Sequence, residues 1–201
     1  MLSMQSETRK FNKVIEIARA KSLELGIRSI DVDEAHLIYT ILYLYTILHR
    51  TCIRVIEISS GCGYFTLWIA KAIVDSGADE CSSVVSIESD DVKASITKEL
   101  VKTSGFSYFV RILKGNIKEI LKLIPGPIDV LFINNPGFKY LEYLEIVHYK
   151  LRNRGLVIAH NVLDIEPSLV MDFMREISNA HKWFTTIIRT KHGLAISIKR
   201  S

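Results

Sequence analysis

Glutamine is almost missing: Gln5 is the single one in 201 residues, while isoleucine is abundant. That leans toward a heat-adapted source. Cysteine is scarce too. Cys52, Cys62 and Cys81 match no metal-binding spacing and form no even disulfide set. A reducing cytosol is the simplest setting, so a cytoplasmic protein is expected. No long hydrophobic run is present. The longest, Leu37 to Leu48, is broken by threonine and tyrosine and falls well short of the ~20 residues a membrane span needs. It reads as a buried helix or a subunit interface, and a homodimer is expected. Met1 to Lys21 is polar and charged, so no signal peptide is expected and no membrane partner. Strong charge is absent as well. A net charge of +4, scattered except for Lys191, Lys199 and Arg200, neither demands nor excludes nucleic acid. RNA is therefore an open partner but not the favoured one. Repeats, linkers and low-complexity segments are lacking, and the length suits one domain. Residues 1–50 read as N-terminal helices that cover the active site or form a dimer contact, and 51–201 as the core.

What is present centres on Arg54 to Lys71. Ile53, Val55, Ile56 and Ile58 make a short β-branched run, as in a strand covered on both faces. Gly61 and Gly63 follow, and glycine lets a ligand approach the backbone closely. From Tyr64 to Val74 apolar residues recur at helical spacing. A strand, glycine turn and helix in sequence form a nucleotide-binding corner, with free N–H groups at the helix start. A dinucleotide site wants a third glycine. Here Tyr64, Phe65 and Thr66 stand instead, and an acid, Glu57, lies inside the strand end. This stretch resembles the E-x-G-x-G-x-G signature of S-adenosylmethionine-dependent methyltransferases, with Ser59 replacing the first glycine.

Helices are expected over 6–25, 34–49, 64–74, 90–103, 117–123, 140–151 and 167–180, the second capped by Asp31 or Asp33. Strands are expected over 52–58, 83–88, 108–113, 128–133, 156–159, 183–189 and 194–199. Turns are expected at 134–137 and 153–155, and the last two strands join through His192-Gly193 as a hairpin. Alternating strands and helices imply an α/β, doubly wound, Rossmann-like sheet of seven strands, mostly parallel with the last antiparallel.

In such a sheet ligands sit at the carboxyl ends of the strands. The second strand ends at Glu88, 25 positions past Gly63, where an acid accepts from ribose hydroxyls. Ser89 follows it. After the third strand come Gly115, Asn116 and Ile117. The Asn116 amide suits an adenine amino group or a helix N-cap, and Ile117 suits the ring face.

The stretches 128–144 and 151–163, with the ending 193–199, resemble the cation-dependent O-methyltransferases of the catechol and caffeoyl-coenzyme A group. The resemblance implies an S-adenosylmethionine cofactor, converted to S-adenosylhomocysteine, and a small hydroxylated acceptor. It implies Glu57, Ser59, Gly61, Gly63, Tyr64, Glu88, Ser89, Gly115, Asn116, Ile117 and Asn134 around the cofactor. The family's divalent cation is held by two aspartates and an asparagine, which align with Asn134, His160 and Asn161. Only Asn161 is retained. Magnesium wants oxygen ligands, usually carboxylates, and an imidazole suits a transition metal better. The family's lysine aligns near Gly137, with Lys139 two positions on. Three readings follow: transfer without magnesium, with Asn134 facing the acceptor and His160 or Lys139 assisting the proton; a different metal through His160; or a cofactor-binding protein that has lost the ancestral chemistry. An RNA methyltransferase is a further alternative.

Overall fold

The computed structural model describes residues 2–27, 29–49, 52–134 and 139–201, with side chains from residue 8 onward. In chain order these form α1 (Leu2–Glu24), α2 (Val32–His49), β1 (Arg54–Ile58), α3 (Tyr64–Asp75), β2 (Ser83–Glu88), α4 (Asp91–Ser104) and β3 (Val110–Lys114). There follow α5 (Ile117–Leu123), β4 (Ile128–Asn134), α6 (Tyr140–His148), β5 (Leu151–His160), α7 (Pro167–Ile177), β6 (Trp183–Ile188) and β7 (Leu194–Lys199). Of the turn expected at 134–137, Asn134 is instead the last residue of β4, and 135–137 lie outside the described residues.

The seven strands form one sheet in the order β3-β2-β1-β4-β5-β7-β6. Pairings from β3 through β5 are parallel, and β7 runs antiparallel to both β5 and β6. The expected fold is thus the observed one. The two central strands are the most buried: all of Val55 to Ile58 in β1, and Ile128 to Ile133 in β4. Their β-branched runs suit a surface packed on both faces. One face buries Phe11, Ile38, Phe65, Leu67 and Phe132 under α1 to α4. The other buries Ile56, Leu121, Tyr140, Phe173 and Trp183 under α5 to α7.

Local chemistry sets the helix starts. Asp31, not Asp33, caps α2, its Oδ1 accepting from the N–H groups of Asp33 and Glu34. Asp90 caps α4 by accepting from Val92 and Lys93, and Gly105 closes that helix at φ 86°. The turn expected at 153–155 is instead absorbed into β5. Ile128 pairs with Leu151 and Val130 with Leu156, so the extra residues of β5 loop out as a bulge, with Arg154 at φ 64°.

The cysteine expectation needs correcting. Cys52 and Cys81 are disulfide-bonded, their Cα atoms 5.2 Å apart, and Cys62 is free and buried. The parallel register explains it: Arg54 faces Ser83, so the residues two places earlier face each other as well. The bridge closes a loop of 29 residues, which by loop-closure entropy contributes about 3–4 kcal/mol. Disulfides belong to oxidising compartments, with intracellular proteins of heat-adapted organisms as the exception. The argument for a reducing compartment therefore loses its support.

Candidate active site

The β1–α3 turn is built from left-handed residues: Ser59 at φ 63°, Gly61 at φ 56° and Gly63 at φ 82°. Ser59 holds, at some cost in strain, a conformation that glycine takes freely. At Gly63 a side chain would also meet Thr97 Cγ2 at 2.9 Å, which ties this glycine to the packing of α3 on α4. Glu88, at the end of β2, fixes the turn. Its Oε2 accepts from Gly61 N at 2.9 Å, and its Oε1 accepts from Ser89 N at 2.8 Å and Asp90 N at 3.0 Å.

The turn opens on a cleft of about 720 Å³ at the carboxyl ends of the strands. Of the residues read for the cofactor, Ser59, Gly61, Glu88, Ser89, Asn116, Ile117 and Asn134 line it. Asn116 does double duty, since its side chain also caps α5 by accepting from Glu119 N. Glu57, Gly63, Tyr64 and Gly115 do not line the cleft. Lys139 and Asn161 line it, together with Lys93, Lys118, Tyr143 and Asp164. Gly26, Ile27 and Ser29 close it from above, so the connection from α1 to α2 forms one wall. Ile27 and Ser29 carried no signal in the sequence.

Glu57 lies under the turn with no exposed surface. Its Oε2 accepts from Thr66 Oγ1 at 2.6 Å, and its Oε1 has no partner among the described residues. Burial pushes this carboxyl up to about 7, against the pull of the Thr66 hydrogen bond. The fold therefore keeps a proton that the unfolded chain gives up above 4.5. Stability falls as pH rises across that window and levels above it, a loss of about 3 kcal/mol. Glu57→Gln is expected to match the wild type near pH 4.5 and to exceed it by about 2–3 kcal/mol at pH 8. Urea unfolding at both pH values checks this, and a gap independent of pH would refute it.

His160 departs from expectation. It was expected to face the methyl-acceptor space, yet it is wholly buried and turned away from the cleft. Its Nδ1 meets Asn134 Oδ1 at 2.9 Å and its Nε2 meets Glu34 Oε2 at 2.8 Å. Asn134 Nδ2 donates to Ser59 O at 3.0 Å, which sets the amide so that its oxygen accepts from the imidazole. Both ring nitrogens of His160 thus face acceptors. Glu34, in the first turn of α2, is also wholly buried. Besides His160, it accepts from His192 Nδ1, His192 N and Thr190 Oγ1. Burial pushes the Glu34 carboxyl up, but the bonds from His160, Thr190 and His192 outweigh it and hold it well below the usual carboxylate range. Sequence reading took Glu34 only as a helix start and His192 only as a hairpin residue. They lie 158 positions apart, and nothing local links them.

The family's divalent cation does not fit here. Of the aligned trio, Asn134 spends both amide atoms within the protein and His160 points at Glu34. Asn161 Oδ1 is buried without a partner among the described residues, the one ligand atom of the trio left over. A lone amide oxygen does not hold magnesium.

The sheet order and the acid-anchored glycine turn define a Rossmann-like methyltransferase fold. A family model described as a methyltransferase domain matches residues 56–162, more than half of the chain, and the chain belongs to that family. A catechol O-methyltransferase of Niastella koreensis is 26% identical over 114 residues, covering 55% of this chain and 49% of that protein. A probable protein arginine N-methyltransferase of Arabidopsis thaliana is 34% identical over 130 residues, covering 63% of this chain and 32% of that protein. The chain thus spans half or less of these relatives. A methyltransferase structure from Geobacter sulfurreducens superposes with a TM-score of 0.80 at 22% identity, covering 94% of this chain and 89% of that one. The O-methyltransferase TomG from Streptomyces achromogenes, solved with S-adenosylmethionine, gives 0.80 at 18% identity, covering 94% and 90%. No described helix is long and apolar enough to cross a membrane.

Proposed function

We propose that this chain transfers a methyl group from S-adenosylmethionine to a hydroxyl of a small acceptor, without a magnesium site. The observation that carries the reading is Glu88, an acid at the end of β2 that lines the cleft and anchors Gly61. Its remaining lone pair, on Oε2, accepts from a ribose hydroxyl. Asn116 takes the adenine amino group and Ile117 packs on the ring. The open backbone of Ser59 and Gly61 receives the amino-acid half. Glu57 supports the turn from below rather than touching the cofactor.

Methyl transfer is an in-line displacement. The acceptor oxygen forms a bond to the methyl carbon as the sulfonium sulfur leaves with the bonding pair, and the hydroxyl proton passes to a base or to water. Lys139 and Asp164 are the ionisable groups we assign to the acceptor side. Asn134, held by His160, sets the position of Ser59 O and so of the cofactor. His160 acts as a positioning residue. Oxygen is chosen over nitrogen because the β4 and β5 stretches resemble the O-methyltransferases. We further propose a homodimer through α2, whose Leu44 and Leu48 are exposed, and a cytoplasmic setting in a heat-adapted source.

The test is calorimetric titration with S-adenosylmethionine and S-adenosylhomocysteine, then S-adenosylhomocysteine release with a panel of catechols and other phenols. Binding with turnover that survives chelation supports the proposal, and absence of binding refutes it. The loss of the metal carboxylates favours a second reading, a cofactor-binding protein without transfer. Binding without turnover, with catechol methylation and magnesium dependence appearing only in Asn134→Asp/His160→Asp, selects it.

A further inference from the structure

We infer that Glu34, His160 and His192 form a binding site for a single borderline transition-metal ion of the zinc type, separate from the family's cation position. Glu34 Oε2 lies 2.8 Å from both His160 Nε2 and His192 Nδ1, one ligand atom from each of the three residues lies within 4.8 Å of the others, and all three residues are buried. Two imidazoles and one carboxylate are a recurrent donor set for zinc, with bonds of about 2.0–2.2 Å. Ligand atoms of a tetrahedral ion with such bonds stand about 3.3–3.6 Å apart. The two 2.8 Å contacts to Glu34 would open and the wider separation would close, by side-chain shifts of about an ångström. The three donors come from three separate elements: the start of α2, the end of β5 and the β6–β7 connection. Each converges on the same point.

The surroundings match what a metal centre requires. A ligating imidazole is normally oriented through its other nitrogen, and a ligating carboxylate through its other oxygen. His160 Nδ1 is held by Asn134 Oδ1 at 2.9 Å. Glu34 Oε1 is held by Thr190 Oγ1 and by His192 N, and Thr190 Oγ1 in turn accepts from Gly193 N at 3.0 Å. Gly193 sits at φ 84°, and a side chain there would strike Leu163 Cγ at 2.4 Å, so the residue after His192 is fixed in place. His160 Nδ1 and Glu34 Oε1 thus have outer partners, while Glu34 Oε2, His160 Nε2 and His192 Nδ1 face one another. A buried carboxylate between two imidazoles needs positive charge in any case. An ion supplies it when the His160 Nε2 and His192 Nδ1 protons leave to solvent and their lone pairs bind. The ion would join α2 to the sheet and, through His160 and Asn134, stiffen the floor of the cleft. The inference does not depend on which acceptor is methylated, nor on transfer at all.

The test uses the full chain with any affinity tag removed. It is stripped with chelator, reloaded with Zn²⁺ or Co²⁺, and passed through gel filtration for elemental analysis. One ion per chain is expected for the wild type, with affinity reduced at least about 100-fold in folded His192→Ala and Glu34→Gln. A wild type that retains no ion, or variants that retain it as tightly, would overturn the site. Should both variants fail to fold, X-ray absorption on the zinc-loaded wild type decides. Two imidazoles and an oxygen near 2.0–2.1 Å uphold the assignment, and any other shell removes it. Titration with S-adenosylhomocysteine on the same samples keeps this outcome distinct from that of the methyltransferase reading.

Discussion

Glu88→Ala is expected to weaken S-adenosylmethionine binding by about a hundredfold, as calorimetry measures it. The carboxylate already accepts three backbone N–H groups: Ser89 N and Asp90 N fill Oε1, and Gly61 N takes one of the two sites on Oε2. In the proposed complex the remaining Oε2 site meets one ribose hydroxyl. A hydrogen bond to a charged acceptor is worth about 1.5–3 kcal/mol, so this one accounts for about ten- to a hundredfold. The alanine variant also frees Gly61 N, and the turn loses its tether to β2. Glu88→Gln separates the two effects. It keeps one carbonyl acceptor but turns an amide group toward an N–H, and an intermediate affinity is expected. A folded Glu88→Ala that binds within about threefold of the wild type would remove the cofactor assignment.

The same residue shows what a sequence discloses. Glu88 was legible because a strand, a turn and a strand-end acid are consecutive features, each set by neighbours. The sheet itself was legible for that reason: β1, β2 and β4 are short apolar runs bounded by turn residues, and the final hairpin is local. Of the two readings of Asn116, the cap is observed, and it was legible because capping spans only three residues. Contacts fixed by register or by tertiary closure were not legible. Cys52 and Cys81 are 29 apart, which is also the offset of Arg54 to Ser83 in the β1–β2 register. That equality has meaning only once the pairing is known. The bulge at 152–155 read as a turn because its residues are turn formers. Only the partner strand makes them part of β5. His160 looked like a site residue from its strand-end position, but its direction is set by Glu34, 126 positions earlier.

That direction gives the other large effect. In metal-free protein, Glu34→Ala is expected to cost about 3–5 kcal/mol of stability at pH 7, out of the roughly 5–15 kcal/mol a domain commands. The change removes one carboxylate and strands four donors inside the protein: His160 Nε2, His192 Nδ1, His192 N and the Thr190 hydroxyl. Truncating one partner of a buried charge network leaves the others desolvated and unpaired, which costs far more than the network's net worth. Through Thr190 the damage reaches Gly193 N, and through His160 it reaches Asn134 and Ser59. A fall in Tm of about 10 °C or more is expected for a chain of this size. Glu34→Gln retains an acceptor and should cost less. The pH dependence has a definite sign. The carboxyl is held below its ordinary 4.5, so its contribution is complete above that pH and fades as the medium becomes more acidic. The gap between wild type and Glu34→Ala should therefore be widest near neutrality and narrow in acid. Chemical denaturation at pH 7 and pH 4 measures both quantities. A variant within about 1 kcal/mol of the wild type at pH 7 would mean that the α2–β5–β7 cluster contributes little to stability.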